Sequence, residues 1–176
     1  MGLVHIYCGD GKGKTSAAVG LAVRAAGCGK RVVIARFLKT DNSGEVEILK
    51  KIPEVTLIPC RKTFGFVRSM DEETKRKCAA YHRELFGEAV KLAEHADLVV
   101  FDEIMAAVNY GMVPERDVLE FLENRPGRDQ TDGLEIVLTG RDPSEKLIAA
   151  ADYVSEICKR KHPFDKGIMA RRGIEY

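Results

Sequence analysis

A chain of 176 residues, 45% hydrophobic and 31% charged, has enough apolar surface to order one core and is too short for two ordinary domains. Its 28 Lys and Arg stand against 27 Asp and Glu, a net charge of +1. That balance removes any general electrostatic pull towards nucleic acid or an anionic membrane, so an anion site has to be local.

The elements follow in chain order as short β-branched runs alternating with helical patterns. Leu3 to Cys8 reads as a first strand that runs straight into the glycine-rich "CGDGKGKTS". Thr15 to Ala26 is an Ala-rich helix stopped by Gly27 and Gly29. Strands follow at Arg31 to Phe37 and Val55 to Pro59. Ser69 with Glu72 three residues later predicts a capping box opening a long helix. On that helix, Leu85, Ala89, Leu92 and Ala93 repeat at helical spacing and are expected to face a sheet.

Leu98 to Phe101 is a fourth strand, apolar throughout as a sheet covered on both faces requires. Pro114 is expected as the first residue of a helix, and "NRPGRDQTDG" as a polar surface loop. Leu134 to Gly140 and Asp152 to Ile157 complete six strands. Such alternation predicts one α/β domain over residues 1–176, with a mostly parallel sheet flanked by helices. No internal repeat, linker or low-complexity segment interrupts it.

The five cysteines are an odd number with no C-x-x-C pair, and the four histidines are scattered, so neither a disulfide framework nor a zinc site is expected. The opening "GLVHIYC" has no leader-like pattern and no stretch approaches the roughly 20 apolar residues of a membrane span. A reduced, cytoplasmic protein without nucleic-acid or membrane partners is the expectation.

The glycine loop nearly matches the phosphate-binding pattern G-x-x-x-x-G-K-[ST], except that Cys8 stands at the first glycine. Gly9 is then expected to take the bend one residue later. Gly9, Gly11 and Gly13 let the backbone turn its N–H groups towards an anion, helped by the positive end of the following helix. Lys14 reaches phosphate oxygens as a point charge, Lys12 adds a second cation, and the Thr15 hydroxyl suits Mg²⁺. "LVVFDE" ends an apolar strand in Asp102 and Glu103, the form of a Walker B segment. Strand ends of a parallel sheet face the ligand, so both carboxylates are expected near Mg²⁺. These two motifs predict Mg–nucleotide binding and stop there. They fit a P-loop ATPase, a phosphotransferase, or a non-catalytic nucleotide-binding module equally well.

Three further stretches narrow the choice. The loop "GDGKGKT", the "TGR" of Thr139 to Arg141 and the ending "KHPFDKGIMARRGIEY" together resemble the P-loop ATP:corrinoid adenosyltransferases, from about Leu3 to Tyr176. That family also carries a non-glycine residue where Cys8 stands. The resemblance implies a P-loop NTPase, RecA-like fold. It also implies a reaction in which Co(I) of a reduced corrinoid attacks the 5′ carbon of ATP and triphosphate leaves. It implies a nucleotide contact set of Gly9, Asp10, Gly11, Lys12, Gly13, Lys14, Thr15, Ser16 and Arg24. The resemblance puts Thr15 and Glu103 on the metal side, where the strand-end reading adds Asp102, and Lys14, Lys12 and Glu103 are the catalytic candidates.

The same resemblance gives Phe64 and Phe66 of "KTFGFVRSMD" a place beside the corrinoid, keeping an axial ligand off cobalt; core packing is the other reading of that pair. Lys159, Arg160, Lys161, Arg171 and Arg172 read as a solvated surface or as a corrinoid contact. A homodimer is implied, with a reduced flavoprotein as electron donor. Many members carry an N-terminal extension over the site, whereas this sequence starts two residues before its first strand. Closure by other means, or a more open site, is therefore the expectation.

Overall fold

The computed structural model describes residues 2–128 and 132–176. Six strands form one sheet: β1 (Val4–Cys8), β2 (Val32–Arg36), β3 (Val55–Leu57), β4 (Leu98–Asp102), β5 (Glu135–Thr139) and β6 (Tyr153–Glu156). Their order is β3-β2-β4-β5-β1-β6, and every pairing is parallel. This is the α/β, P-loop NTPase-like arrangement expected from the sequence. β5 lies between β1 and β4, and all carboxyl ends share one edge.

Two apolar layers sandwich the sheet because successive strand residues point to opposite faces. On β2, Val32 and Ile34 join the layer under α1 (Lys14–Gly27), where Ala18, Ala22 and Ala26 recur every four residues. Small alanines let that helix lie close on the strands. Val33 and Ala35 join the opposite layer, built with α3 (Glu72–Ala93), α4 (Ile104–Asn109) and α5 (Glu115–Glu123). Phe86, Phe101 and Phe121 cluster there with centroids 5.4 to 6.2 Å apart, Phe121 meeting the other two rings edge to face. The outer strand β6 is exposed along its length, and its polar Ser155 and Glu156 suit an edge.

The short helices α2 (Gly44–Leu49), α4 and α6 (Glu145–Ala149) were not foreseen, being five or six residues long. Predicted strand ends differ from observed ones by a residue or two. The capping box at Ser69 does not form. Residues Val67–Ser69 make a 3₁₀ turn in which the Ser69 hydroxyl donates to the Phe66 carbonyl at 2.9 Å. Met70 and Asp71 are extended, and the Asp71 carboxylate takes the Thr74 N–H at 2.7 Å. A charged acceptor at the positive helix end serves better than a hydroxyl two residues away. Leu92 stays 36% exposed, whereas Leu85, Ala89 and Ala93 are buried as expected. Pro114 is the extended N-cap of α5 rather than its first helical residue. Part of the expected "NRPGRDQTDG" loop, residues 129–131, lies outside the described residues.

Candidate active site

β1 keeps Cys8 in the strand, and Gly9, at φ 101°, takes the bend. The positive φ alone favours glycine, and the surroundings demand it. A Cβ on Gly9 or Gly11 would stand 2.5 or 2.6 Å from the Ile157 carbonyl oxygen, just past β6. Gly11 donates its N–H to that oxygen at 2.7 Å, and Lys159 N–H donates to the Asp10 carboxylate at 2.8 Å. The loop is therefore braced by the exit of β6, and the Gly11 amide is used for structure rather than turned towards an anion. Asp10 is held below the usual carboxylate range chiefly by that Lys159 N–H.

Lys14 opens α1 and folds back, donating at 2.8 Å to the carbonyls of both Gly9 and Gly11. Burial pulls its ammonium below the ordinary lysine value, the Arg141 guanidinium adds to that, and Glu103 and Asp10 oppose it. A cleft of about 320 Å³ lies over the loop, lined by Lys12, Lys14, Thr15, Glu103 and Arg141 among others. Ser16 and Asp10 also border it.

The floor of the site is a network tying α1, β4 and β5 together. Asp102, 2% exposed at the end of β4, accepts from Thr15 at 2.9 Å and Thr139 at 2.7 Å. Thr139 in turn accepts the Glu103 N–H at 2.8 Å. Glu103 has φ 62°, a left-handed conformation that a non-glycine residue seldom adopts, and its side chain borders the phosphate-loop cleft. Gly140, at φ 142°, leaves room for Met105, whose Cβ would lie 2.5 Å from any side chain there. Arg141 reaches the Asp10 carbonyl at 3.4 Å. The "TGR" run thus supplies a brace, a close approach and a cation.

Lys39 was not foreseen. Its ammonium donates to Thr15 Oγ1 at 2.7 Å and to Asp102 Oδ2 at 2.5 Å. The available signal was its position: a lysine just beyond the apolar run of β2 arrives at the same sheet edge as the phosphate loop. Lys39 and Leu38 border two further clefts. One, of about 880 Å³, shares Thr15 and Ser16 with the phosphate-loop cleft and reaches Val19, Ser43 and Tyr176. The other, of about 530 Å³, is lined by Glu103, Phe66, Arg68 and Tyr110. Three clefts therefore meet at Thr15, Lys39 and Glu103.

The two aromatics separate. Phe66 is 87% exposed over the third cleft, while Phe64 packs on Tyr81 at 5.8 Å against the core. Arg24 is exposed on the last turn of α1, ten residues beyond Lys14 and so about 15 Å along the helix, and borders none of the three clefts. Residues 171–176 cross the phosphate loop, where Glu175 accepts from Lys12 at 3.0 Å and from Arg171. Arg171 first, then Lys12, hold the Glu175 carboxyl down at about 2. Of the basic cluster, Lys159 pairs with Asp165 and Arg171 with Glu175; all five members are exposed.

The fold resembles the cytoplasmic domain of EssC, with a TM-score of 0.52 at 14% identity over 97% of this chain and 35% of that one, a likeness of fold alone. The sequence is 35% identical to the corrinoid adenosyltransferase of Escherichia coli K12, over 99% of this chain and 86% of the relative. The corrinoid adenosyltransferase CobA of Salmonella typhimurium LT2 is also 35% identical, with the same coverage. The corrinoid adenosyltransferase of Pseudomonas aeruginosa is 30% identical over 99% of this chain and 84% of its own length. The model of the ATP:corrinoid adenosyltransferase family BtuR/CobO/CobP matches residues 1–176. Over that whole span the chain belongs to the ATP:corrinoid adenosyltransferase family, and it is a transferase enzyme.

Proposed function

We propose that this enzyme transfers the 5′-deoxyadenosyl group of ATP to the Co(I) of a reduced corrinoid, releasing triphosphate. The observation that carries the reading is the meeting of three clefts at Thr15, Lys39 and Glu103. Polyphosphate fits the cationic cleft over the loop, the nucleoside fits the larger cleft beside Ser16 and Val19, and the corrinoid fits the face under Phe66. In the reaction the Co(I) electron pair becomes the cobalt–carbon bond, the C5′–oxygen bond breaks, and triphosphate departs with the electron pair of that broken bond. Lys14, Lys12 and Arg141 stand where the departing charge gathers, and no general base is needed.

The oxygen donors Thr15, Asp102 and Glu103 fit Mg²⁺, a hard ion that completes its shell with phosphate and water. A positive group, the Lys39 ammonium, already lies between the first two. No set of three or more His, Cys, Asp or Glu gathers among the described residues. When bound, Mg²⁺ would neutralise charge on the polyphosphate.

The exposed Phe66 supports a corrinoid contact, and the core position of Phe64 gives it a supporting role. A homodimer served by a reduced flavoprotein in the cytoplasm belongs to the same reading, which five free cysteines suit. No helix of the described residues is long and apolar enough to cross a membrane.

The test supplies MgATP and chemically reduced cob(I)alamin. The expected product is adenosylcobalamin, recognised by its light-sensitive spectrum, together with intact triphosphate. ADP and phosphate would instead mark a hydrolase, and tight ATP binding without turnover a binding module.

A further inference from the structure

The buried Asp102 carboxylate needs a positive partner, because hydroxyl donors alone leave its charge uncompensated. Lys39 is that partner, and its placement is built. Leu38 stands at φ 52°, a left-handed conformation costly for a branched side chain, and this turns the chain so that Lys39 points back at the phosphate loop. The residues after it are clamped from below. Arg36, fully buried, donates to the Thr40 carbonyl at 3.0 Å and pairs with Asp41. Phe37 N–H donates to the Asp102 carbonyl at 2.9 Å, tying the start of the same loop to β4. Strain on one side and a buried guanidinium on the other hold one ammonium against two oxygens.

Those two oxygens, Thr15 Oγ1 and Asp102 Oδ2, are also the hard donors proposed for Mg²⁺. We propose that Lys39 is the resident counter-cation of the Thr15–Asp102 pair and exchanges with the divalent ion during loading. The inference rests on the assignment of that pair to the metal side. The Lys39 side chain is 26% exposed and borders two open clefts, so its flexible stem has room to withdraw without unfolding the loop. The exchange keeps Asp102 neutralised in both states. It also makes the free ion a poor ligand by itself, since it must displace a unit charge, and favours its arrival with polyphosphate.

The test measures Mn²⁺ binding by electron paramagnetic resonance, without nucleotide, for the wild type and for Lys39→Met and Lys39→Gln. Both variants are expected to bind one Mn²⁺ on the order of tenfold more tightly than the wild type, as loss of a competing charge in a partly exposed site implies. In chelator they should melt earlier than the wild type and recover on adding Mn²⁺, while the wild-type midpoint hardly moves. Folded variants that bind Mn²⁺ no more tightly overturn the proposal. Should a variant fold only with Mn²⁺, that rescue supports it, and failure of Mn²⁺ to rescue either variant overturns it. Wild-type binding of MnATP separates the two levels. Its absence removes the metal-side assignment itself, whereas its presence beside unimproved variants removes only the exchange.

Discussion

Lys14 donates to two carbonyls of its own loop, so its charge serves structure as well as substrate. The two roles differ in size. The loop is partly exposed and water can take over at Gly9 and Gly11, so Lys14→Ala should cost only about 1 kcal/mol of stability. Removing a cation from a site of developing negative charge costs about 10²–10³ in rate. The variant should therefore keep its far-ultraviolet dichroism and a melting point within a few degrees, yet lose almost all adenosyl transfer. Inactivation that tracks unfolding would assign the lysine to the scaffold. The residue scale also shows where motif reading reached its limit. Lys14 and Thr15 stand out because a pattern names them and Lys12 because it lies inside the same loop, and all three line the phosphate-loop cleft. Lys39 belongs to no pattern, and only its register at a strand end reveals it. The Gly11 amide was misjudged because its partner, Ile157, lies 146 residues away and no local pattern signals it.

At the scale of elements, α3 shows how local signals compete. Two acceptors, Ser69 and Asp71, stand near its start, and sequence spacing favours the first. The 3₁₀ turn through Val67–Ser69 engages the Ser69 hydroxyl with Phe66, leaving the cap to Asp71, whose carboxyl is held below its usual range by the Thr74 N–H. Asp71→Ala should lower stability by about 1 kcal/mol, and Ser69→Ala by a few tenths at most. Paired urea titrations check this, and a larger loss at Ser69 would restore the capping box. The turn matters beyond the helix because it follows directly on Phe66, which overhangs the third cleft. Long periodic elements such as α1 and α3 and the β-branched strands are legible because burial on one face or two leaves a repeating mark. The five- and six-residue helices α2, α4 and α6 complete too few turns to leave one.

The whole molecule places every strand's carboxyl end on one edge and covers both sheet faces, and one histidine lies deep in that cover. His82 on α3 is 4% exposed, its ring 5.9 Å from Phe37 and 5.1 Å from Tyr81. Its Nδ1 has no hydrogen-bond partner among the described residues. Burial among these rings disfavours the imidazolium and takes the His82 pKa down from 6.5 to about 4. The sign follows from proton counting. Between about pH 6.5 and 4 the unfolded chain binds a proton at this position that the folded chain refuses, so stability falls as pH falls through that window. Below about pH 4 both states carry the proton and this contribution levels off. His82→Leu removes the titration while filling similar space, so its urea midpoint should decline less than that of the wild type between pH 7 and pH 4.5. The gap between the two curves should widen steadily as acid is added. Curves that stay parallel would mean that the imidazole gains its proton inside the fold as readily as in the unfolded chain, and that burial does not hold it neutral.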